Sequence, residues 1–498
     1  MLRLPPLALA GGEFALVALT GLIGLGGPSY WYDEVVSLEH AQAPIADLPG
    51  LVRSHDLVHA AYYATLHYWG QAFGWSEVAT RSLSLIAVAL AGAGFVLLLR
   101  ALRGGAVALA GGVVFAFTPG LNWAGDEARS FALALAFAVW ATYFLVKACR
   151  AGSRAALWWI AYALAMTAGT VFLIYVPLLA AAHMAIIWNW AAGPRHAARR
   201  GAGSEPPSRF RRWRRPWLGF AASWALIGAL TLPFAIRVGT QRGQVGWLPD
   251  GLAELAARFA VGQLFMFPRD RDGGLVGWHI ASAVMAFLVG LALVAALAAR
   301  SRNDLGARRA GVTALIWFAL PSAALIGLSV VYTPSYLERY VVFAVPGAVW
   351  LFAEGLVALW RTRPRLGAVA AVALLAPMAA SCAIQHAQTA KFGEDFRSLA
   401  GLAAAADGFV HANDATRLLE TAYPGQFLRA ADLIPSGAIA ATDVPPNMAG
   451  SGLVAFYFPT DQPGLADRFE AEVAAPQGCE VKDRVIRARF SGYLLSCP

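Results

Sequence analysis

Long apolar runs separated by short polar stretches dominate the first 386 residues. A run of about 17–25 apolar residues matches the hydrocarbon thickness that one helix crosses. Eleven such runs predict spanning helices at 7–28, 79–99, 104–120, 130–147, 155–170, 171–192, 216–236, 276–299, 310–331, 340–360 and 366–386. The first resembles a signal peptide in length, but it lacks a cleavage site and leads into Trp31-Tyr32-Asp33-Glu34. The stretch 155–192 is read as two spans that break near Thr167, Gly169 and Thr170.

Beyond residue 386 the pattern changes to charges of both signs, dispersed turn residues and no run of spanning length. Phe409-Val410 and Leu453–Phe458 read as buried strands, and 394–406 and 461–474 as helices. The expected division is therefore a helical membrane domain over 1–386 and a small α/β domain over 387–498. Cys479 and Cys497 both fall in the second, where an oxidising compartment would allow a disulfide, and spacing leaves two free thiols open as well.

Composition supports the membrane reading. Of 498 residues 58% are hydrophobic and 14% charged, against about 25% charged in soluble domains. That much apolar surface excludes a soluble enzyme and a disordered chain. The net charge of +9 could suggest nucleic acid, but the basic residues sit where topology needs them. With Arg3 inside, alternate segments collect Arg100, Arg103, Lys147, Arg150, Arg154, the eight arginines of 195–215, Arg300, Arg302, Arg308, Arg309, Arg361, Arg363 and Arg365. Those segments hold only two acids, Glu205 and Asp304. Basic residues gather on the cytoplasmic side, so 195–215 reads as a topology anchor beside anionic lipid. An odd number of spans then puts 387–498 outside, in a plasma (inner) membrane.

Charge at membrane depth costs about 2.5–3.5 kcal/mol per residue on insertion scales, so clusters there suggest function. Three fall at outer ends of spans: Asp33-Glu34, Asp126-Glu127-Ala128-Arg129 and Tyr336-Leu337-Glu338-Arg339-Tyr340. Each has a plainer explanation of comparable weight, as a solvated helix end, a snorkelling arginine or a structural ion pair. The loop 29–78 tips the balance, being long and rich in His55, Asp56, His59, Tyr62, Tyr63, His67, Tyr68 and Trp69. Tyr62 to Trp69 also fits an interfacial helix.

In motif order these residues resemble the GT-C superfamily of polyprenyl-phosphate-sugar-dependent glycosyltransferases. The nearest branch holds protein O-mannosyltransferases, the lipid A aminoarabinose transferase and rhizobial galacturonosyltransferases. Trp31-Tyr32-Asp33-Glu34 with Ser37 is similar to the first-loop Asp-Glu motif. His59-Ala60-Ala61-Tyr62-Tyr63, with Phe73-Gly74, Glu77 and Arg81, is similar to the His-Pro-Pro-Leu-Tyr-Tyr segment, both prolines being alanine here. Glu127-Ala128-Arg129-Ser130-Phe131-Ala132-Leu133 is similar to a Glu-Ala-Arg-Pro-Tyr-Ala-Leu stretch, Phe131 standing for tyrosine. Val245–Pro249 and Glu338-Arg339-Tyr340 with Pro346 match later motifs.

The resemblance implies a GT-C helical bundle and transfer of a sugar from a lipid phosphate to a hydroxyl, with inversion in many members. It implies Asp33 as general base, with Arg339 and Arg129 on the donor phosphate. His59, Glu34, Tyr62 and Tyr340 are expected at the substrate, and Asp126, Glu127 and Glu338 as supporting acids. No metal is predicted. Glu34, Asp126 and Glu127 with His59 would nonetheless suit a divalent cation, Mg²⁺ or Mn²⁺ on carboxylates and Zn²⁺ with the imidazole. The expected partners are a polyprenyl-phosphate-linked donor, a glycan, lipid or protein acceptor and membrane lipid, with no nucleic acid. An envelope glycan or lipid acceptor is preferred. The competing readings are a lipid or glycan transporter or flippase, whose polar residues and inverted repeats would lie near the bilayer midplane, and a non-catalytic envelope scaffold.

Overall fold

The computed structural model describes residues 5–191, 209–266, 274–412, 414–433, 448, 450–459 and 469–498. Most of the expected basic anchor 195–215, and residues 461–468 of the expected helix 461–474, lie outside them. Eight helices among the described residues are long and apolar enough to cross a membrane. They are Glu77–Leu102, Phe131–Arg150, Ala155–Phe172, Arg215–Gly239, His279–Ser301, Leu305–Val331, Glu338–Thr362 and Pro364–Gln385. The bent pair Gly105–Ala116 and Pro119–Gly125 makes a ninth, and Pro6–Leu22 and Val176–Trp190 are shorter apolar helices. Nine of the eleven expected runs thus supply apolar helix of spanning length, counting the bent pair as one, while 7–28 and 171–192 supply shorter helices; the chain is a multi-pass membrane protein.

Two boundaries differ from expectation for a physical reason. The run 104–120 is not one helix: it bends by 61° before Pro119. Proline has no N–H to continue the ladder and disfavours helix at the residue before it. Thr118 is accordingly extended, and Pro119 opens the next turn. The break within 155–192 comes at Leu173–Tyr175 rather than near Gly169, just before Pro177.

Side-chain caps define several helix starts. Ser76 Oγ accepts from Ala79 N, Asp304 Oδ1 from Ala307 N, and Asp395 Oδ1 from Ser398 N, each satisfying an N–H with no intrahelical partner. Small residues let helices approach closely. A Cβ at Gly347 would sit 2.6 Å from the backbone of Ala314 and Phe318, so the helix from Val345 lies directly on Leu305–Val331.

The C-terminal segment forms a five-stranded sheet of β1 (Gly408–His411), β2 (Ala431–Asp432), β3 (Gly452–Pro459), β4 (Glu480–Ile486) and β5 (Phe490–Cys497), in the order β2-β1-β3-β5-β4. β1 is parallel to β2 and β3, whereas β5 is antiparallel to β3 and β4. The expected strands at 409–410 and 453–458 are β1 and β3, and the helix expected over 394–406 is Phe396–Ala404. A disulfide joins Cys479 to Cys497. The sheet is not a free appendage. Phe396, Leu399 and Leu418 share a buried apolar cluster with Tyr30, Val35 and Leu38 of the first loop.

Candidate functional site

Helix Tyr32–Gln42 builds the centre of the site. Trp31 is extended at its N-cap, and Asp33 and Glu34 occupy the first turn, where the helix dipole favours negative charge. Consecutive helical residues diverge by about 100°, so the two acids have different surroundings. Asp33 faces a cavity of about 770 Å³ that Trp31, Trp123, Trp247, Arg339 and Phe392 also line. Glu34 turns into the protein and is fully buried.

Asp33 Oδ2 lies 3.1 Å from Arg339 Nη2 and 3.4 Å from Arg129 Nη2. Arg339 stands over Trp31 and Trp247, with Cζ 5.2 and 5.8 Å from the ring centroids. Arg129 also donates to Ser37 Oγ and Tyr63 Oη. Burial opposes its charge, but Asp33 and Tyr63 raise its pKa further. The Nε of each arginine and Trp31 Nε1 are buried donors with no hydrogen-bond partner. Such donors normally cost about 1–3 kcal/mol each and mark a site that something else completes.

Glu34 belongs to a separate closed network. Arg81 donates to it from Nε and Nη2 at 2.8 and 2.7 Å, Lys391 Nζ at 2.9 Å and Ala128 N at 2.9 Å. Arg81 spends its other donors on the carbonyls of Leu25, Pro28 and Ser29. Lys391 also donates to the Asp126 carbonyl. Burial pushes the Glu34 carboxyl up, yet Arg81 and Lys391 outweigh it and hold it at about 2. Glu34 therefore stays charged and fixes loop one to the turn 126–129 and the segment after Gln385.

The remaining expected residues divide. Glu338 lines the cavity and pairs with Arg258 at 2.9 Å. Asp126 and Glu127 are buried, Asp126 Oδ1 lying 3.8 Å from Arg81 Nε. Neither Glu127 oxygen has a hydrogen-bond partner, and burial pushes its pKa up to about 8. His59 is buried with Nδ1 3.1 Å from Ser130 Oγ. Burial, followed by Arg129 and Arg339, drives its pKa well down, so the ring is neutral. Tyr62 is fully buried, and Tyr340 packs between Phe131 and Tyr175. Glu34, His59, Tyr62, Arg129, Tyr340, Asp126 and Glu127 thus stand behind the cavity wall, not on it, Arg129 reaching Asp33 from behind. Among the described residues no three His, Cys, Asp or Glu side chains converge as metal ligands.

Several site residues received no role from sequence reading. Lys391 is one of only three lysines and follows directly after the last span on the acidic side; that placement was the available signal. Arg258, Glu394 and Arg489 carried none, because only the fold brings 258, 394 and 489 to Asp33.

No protein-family model and no curated protein sequence matches the chain. Solved structures do. ArnT from Cupriavidus metallidurans bound to undecaprenyl phosphate matches over 97% of both chains, with TM-score 0.52 and 12% identity; its apo state gives 0.53 at the same coverage and identity. The archaeal oligosaccharyltransferase AglB from Archaeoglobus fulgidus, in complex with an inhibitory peptide and a dolichol-phosphate, matches 93% of this chain and 70% of its own, with TM-score 0.51 and 11% identity. The architecture is the GT-C fold that these proteins share.

Proposed function

We propose that this GT-C-fold protein is a membrane glycosyltransferase that moves a sugar from a polyprenyl-phosphate donor to a hydroxyl of an envelope glycan or lipid. The reaction would take place at the extracytoplasmic face of the plasma membrane, with inversion. The observation that carries this reading is Asp33 on the cavity wall, held between Arg339 beside it and Arg129 behind it. A lipid-linked donor agrees with the undecaprenyl phosphate and dolichol-phosphate carried by the two structural neighbours.

Each group has a defined task. The acceptor O–H gives its proton to the Asp33 carboxylate as its oxygen bonds to the anomeric carbon. The bond from that carbon to the phosphate oxygen breaks, and its electron pair leaves with polyprenyl phosphate. A positioned general base contributes about 10²–10⁴-fold. The leaving group needs charge stabilisation more than protonation, and guanidinium matches phosphate oxygens bidentately. Donor phosphate would compete with Asp33 for Arg339 and Arg129. Binding would then loosen these ion pairs and leave the Asp33 carboxylate free to meet the acceptor hydroxyl. Glu34, Arg81 and Lys391 hold the loop, and neutral His59 supports Ser130 beside Arg129.

The charged groups of the site gather where spans end, at 33–34, 126–129, 338–339 and 391, whereas a transporter places its binding site near the bilayer midplane. The prenyl chain can therefore stay in lipid while its phosphate meets the arginines at the surface. Undecaprenyl-phosphate binding, read by quenching of Trp31 and Trp247 fluorescence, tests the site. Arg339→Gln is expected to weaken it by about tenfold or more; unchanged affinity in both Arg339→Gln and Arg129→Gln would refute the phosphate assignment.

A further inference from the structure

The cavity is not made by the membrane helices alone. Phe392, Glu394 and Arg489, all beyond the last span, complete its wall. Arg489 lies between β4 and β5 and reaches back over the first loop. Its Cζ sits 3.9 Å from the centroid of the Tyr32 ring, on the residue next to Asp33. Its Nε donates to Glu394 Oε1 at 2.9 Å, and Glu394 Oε2 accepts from Tyr32 N at 2.6 Å. One edge and one face of the guanidinium are thereby fixed. The side chain nevertheless remains 45% exposed, and Nε is its only nitrogen hydrogen-bonded to Glu394.

A guanidinium oriented in this way offers the planar Nη pair that binds carboxylate or phosphate bidentately. The arrangement exceeds what docking the sheet domain requires. Arg397 already performs that task, bonded to Glu77 and to the carbonyls of Gly26, Gly27 and Pro28. Arg339 and Arg129 approach Asp33 directly, whereas Arg489 approaches from the neighbouring Tyr32. A second anion can thus be held beside the base without displacing the first.

Resting on the glycosyltransferase reading above, we propose that Arg489 is a specificity-determining residue that holds an anionic group of the acceptor, a carboxylate or a phosphate monoester. The C-terminal domain then selects the acceptor while the helical bundle holds the donor.

Binding to purified full-length protein in nanodiscs tests this with three soluble probes: octyl glucoside, octyl glucuronide and octyl glucoside 6-phosphate. Wild type is expected to prefer at least one anionic probe over octyl glucoside by about tenfold to a hundredfold, and the better of the two names the anion. Arg489→Gln should erase the preference and leave undecaprenyl-phosphate affinity unchanged. Arg489→Lys keeps the cation over Tyr32 and so preserves docking, but loses the planar donor pair; it should retain only part of the preference at a wild-type Tm. Equal binding of all three probes by wild type would overturn the proposal, as would an intact preference in Arg489→Gln or a loss of undecaprenyl-phosphate binding in Arg489→Lys. Absence of undecaprenyl-phosphate binding in wild type would instead overturn the reading of the whole site.

Discussion

At the scale of single residues, two adjacent acids separate into one that faces the cavity and one buried in an ion-pair network. Asp33 and Glu34 are indistinguishable by type, and sequence could place both at the site without saying which faces the cavity. The helical turn decides, since it sends Glu34 to Arg81 and Lys391. Glu34→Gln should destabilise the protein by about 3–5 kcal/mol, because it leaves two buried cations short of a counter-charge. Its folded pKa of about 2 lies below its ordinary value of 4.5. The stabilisation from its charge is therefore complete above pH 4.5 and is lost as pH falls toward 2. Glu127 has the opposite sign. Its folded pKa is raised to about 8, so wild type should lose stability as pH rises from about 4.5 to 8. Glu127→Gln should remove that slope; a melting-temperature series across the window in detergent measures both variants. An unaltered slope in Glu127→Gln would show that the carboxyl is already ionised in the fold.

At the scale of elements, the spans were legible because a spanning helix must be apolar along its whole length. Their breaks were less so, because Pro119 and Pro177 act locally and hydropathy averages over them. The C-terminal sheet was half legible. The continuous apolar run of β3 reveals a buried strand, whereas β4 is mostly exposed and reads as a polar loop until β5 pairs with it. Nothing in the sequence signalled that this domain would share a core with loop one, since those contacts span more than 350 residues. The Cys479–Cys497 bridge staples the end of β5 to the start of β4 across a separation of 18 residues. Replacing both cysteines by serine should cost about 3 kcal/mol in the stability of this domain. A maleimide reagent added to denatured protein should label only Cys149 and Cys382 before reduction and all four cysteines after it. Four labels before reduction would contradict the bridge.

At the scale of the whole molecule, charge divides the two ends of the bundle. One carries Arg100, Arg103, Arg150 and Arg361, where Arg103 pairs with Glu354. The other carries Asp33, Arg129, Arg339 and the sheet domain. By the positive-inside rule we propose that the first end is cytoplasmic. A reporter active only outside the cytoplasm should work when fused at residue 498 and fail when inserted at 152; the reverse pattern would invert the proposed topology. Catalysis at the second end unites the lipid-facing helices, the paired arginines and the domain above them in one account. We propose that Asp33 is the base for sugar transfer. The most direct measurement is transfer of labelled sugar from synthetic polyprenyl-phosphate-mannose, -galacturonate or -arabinose into envelope extract, with purified wild type and Asp33→Asn in parallel. Transfer by wild type, reduced about 10²–10⁴-fold in a folded Asp33→Asn, is the expected result. Near-wild-type turnover by Asp33→Asn would contradict the claim, as would no transfer from any donor despite intact undecaprenyl-phosphate binding.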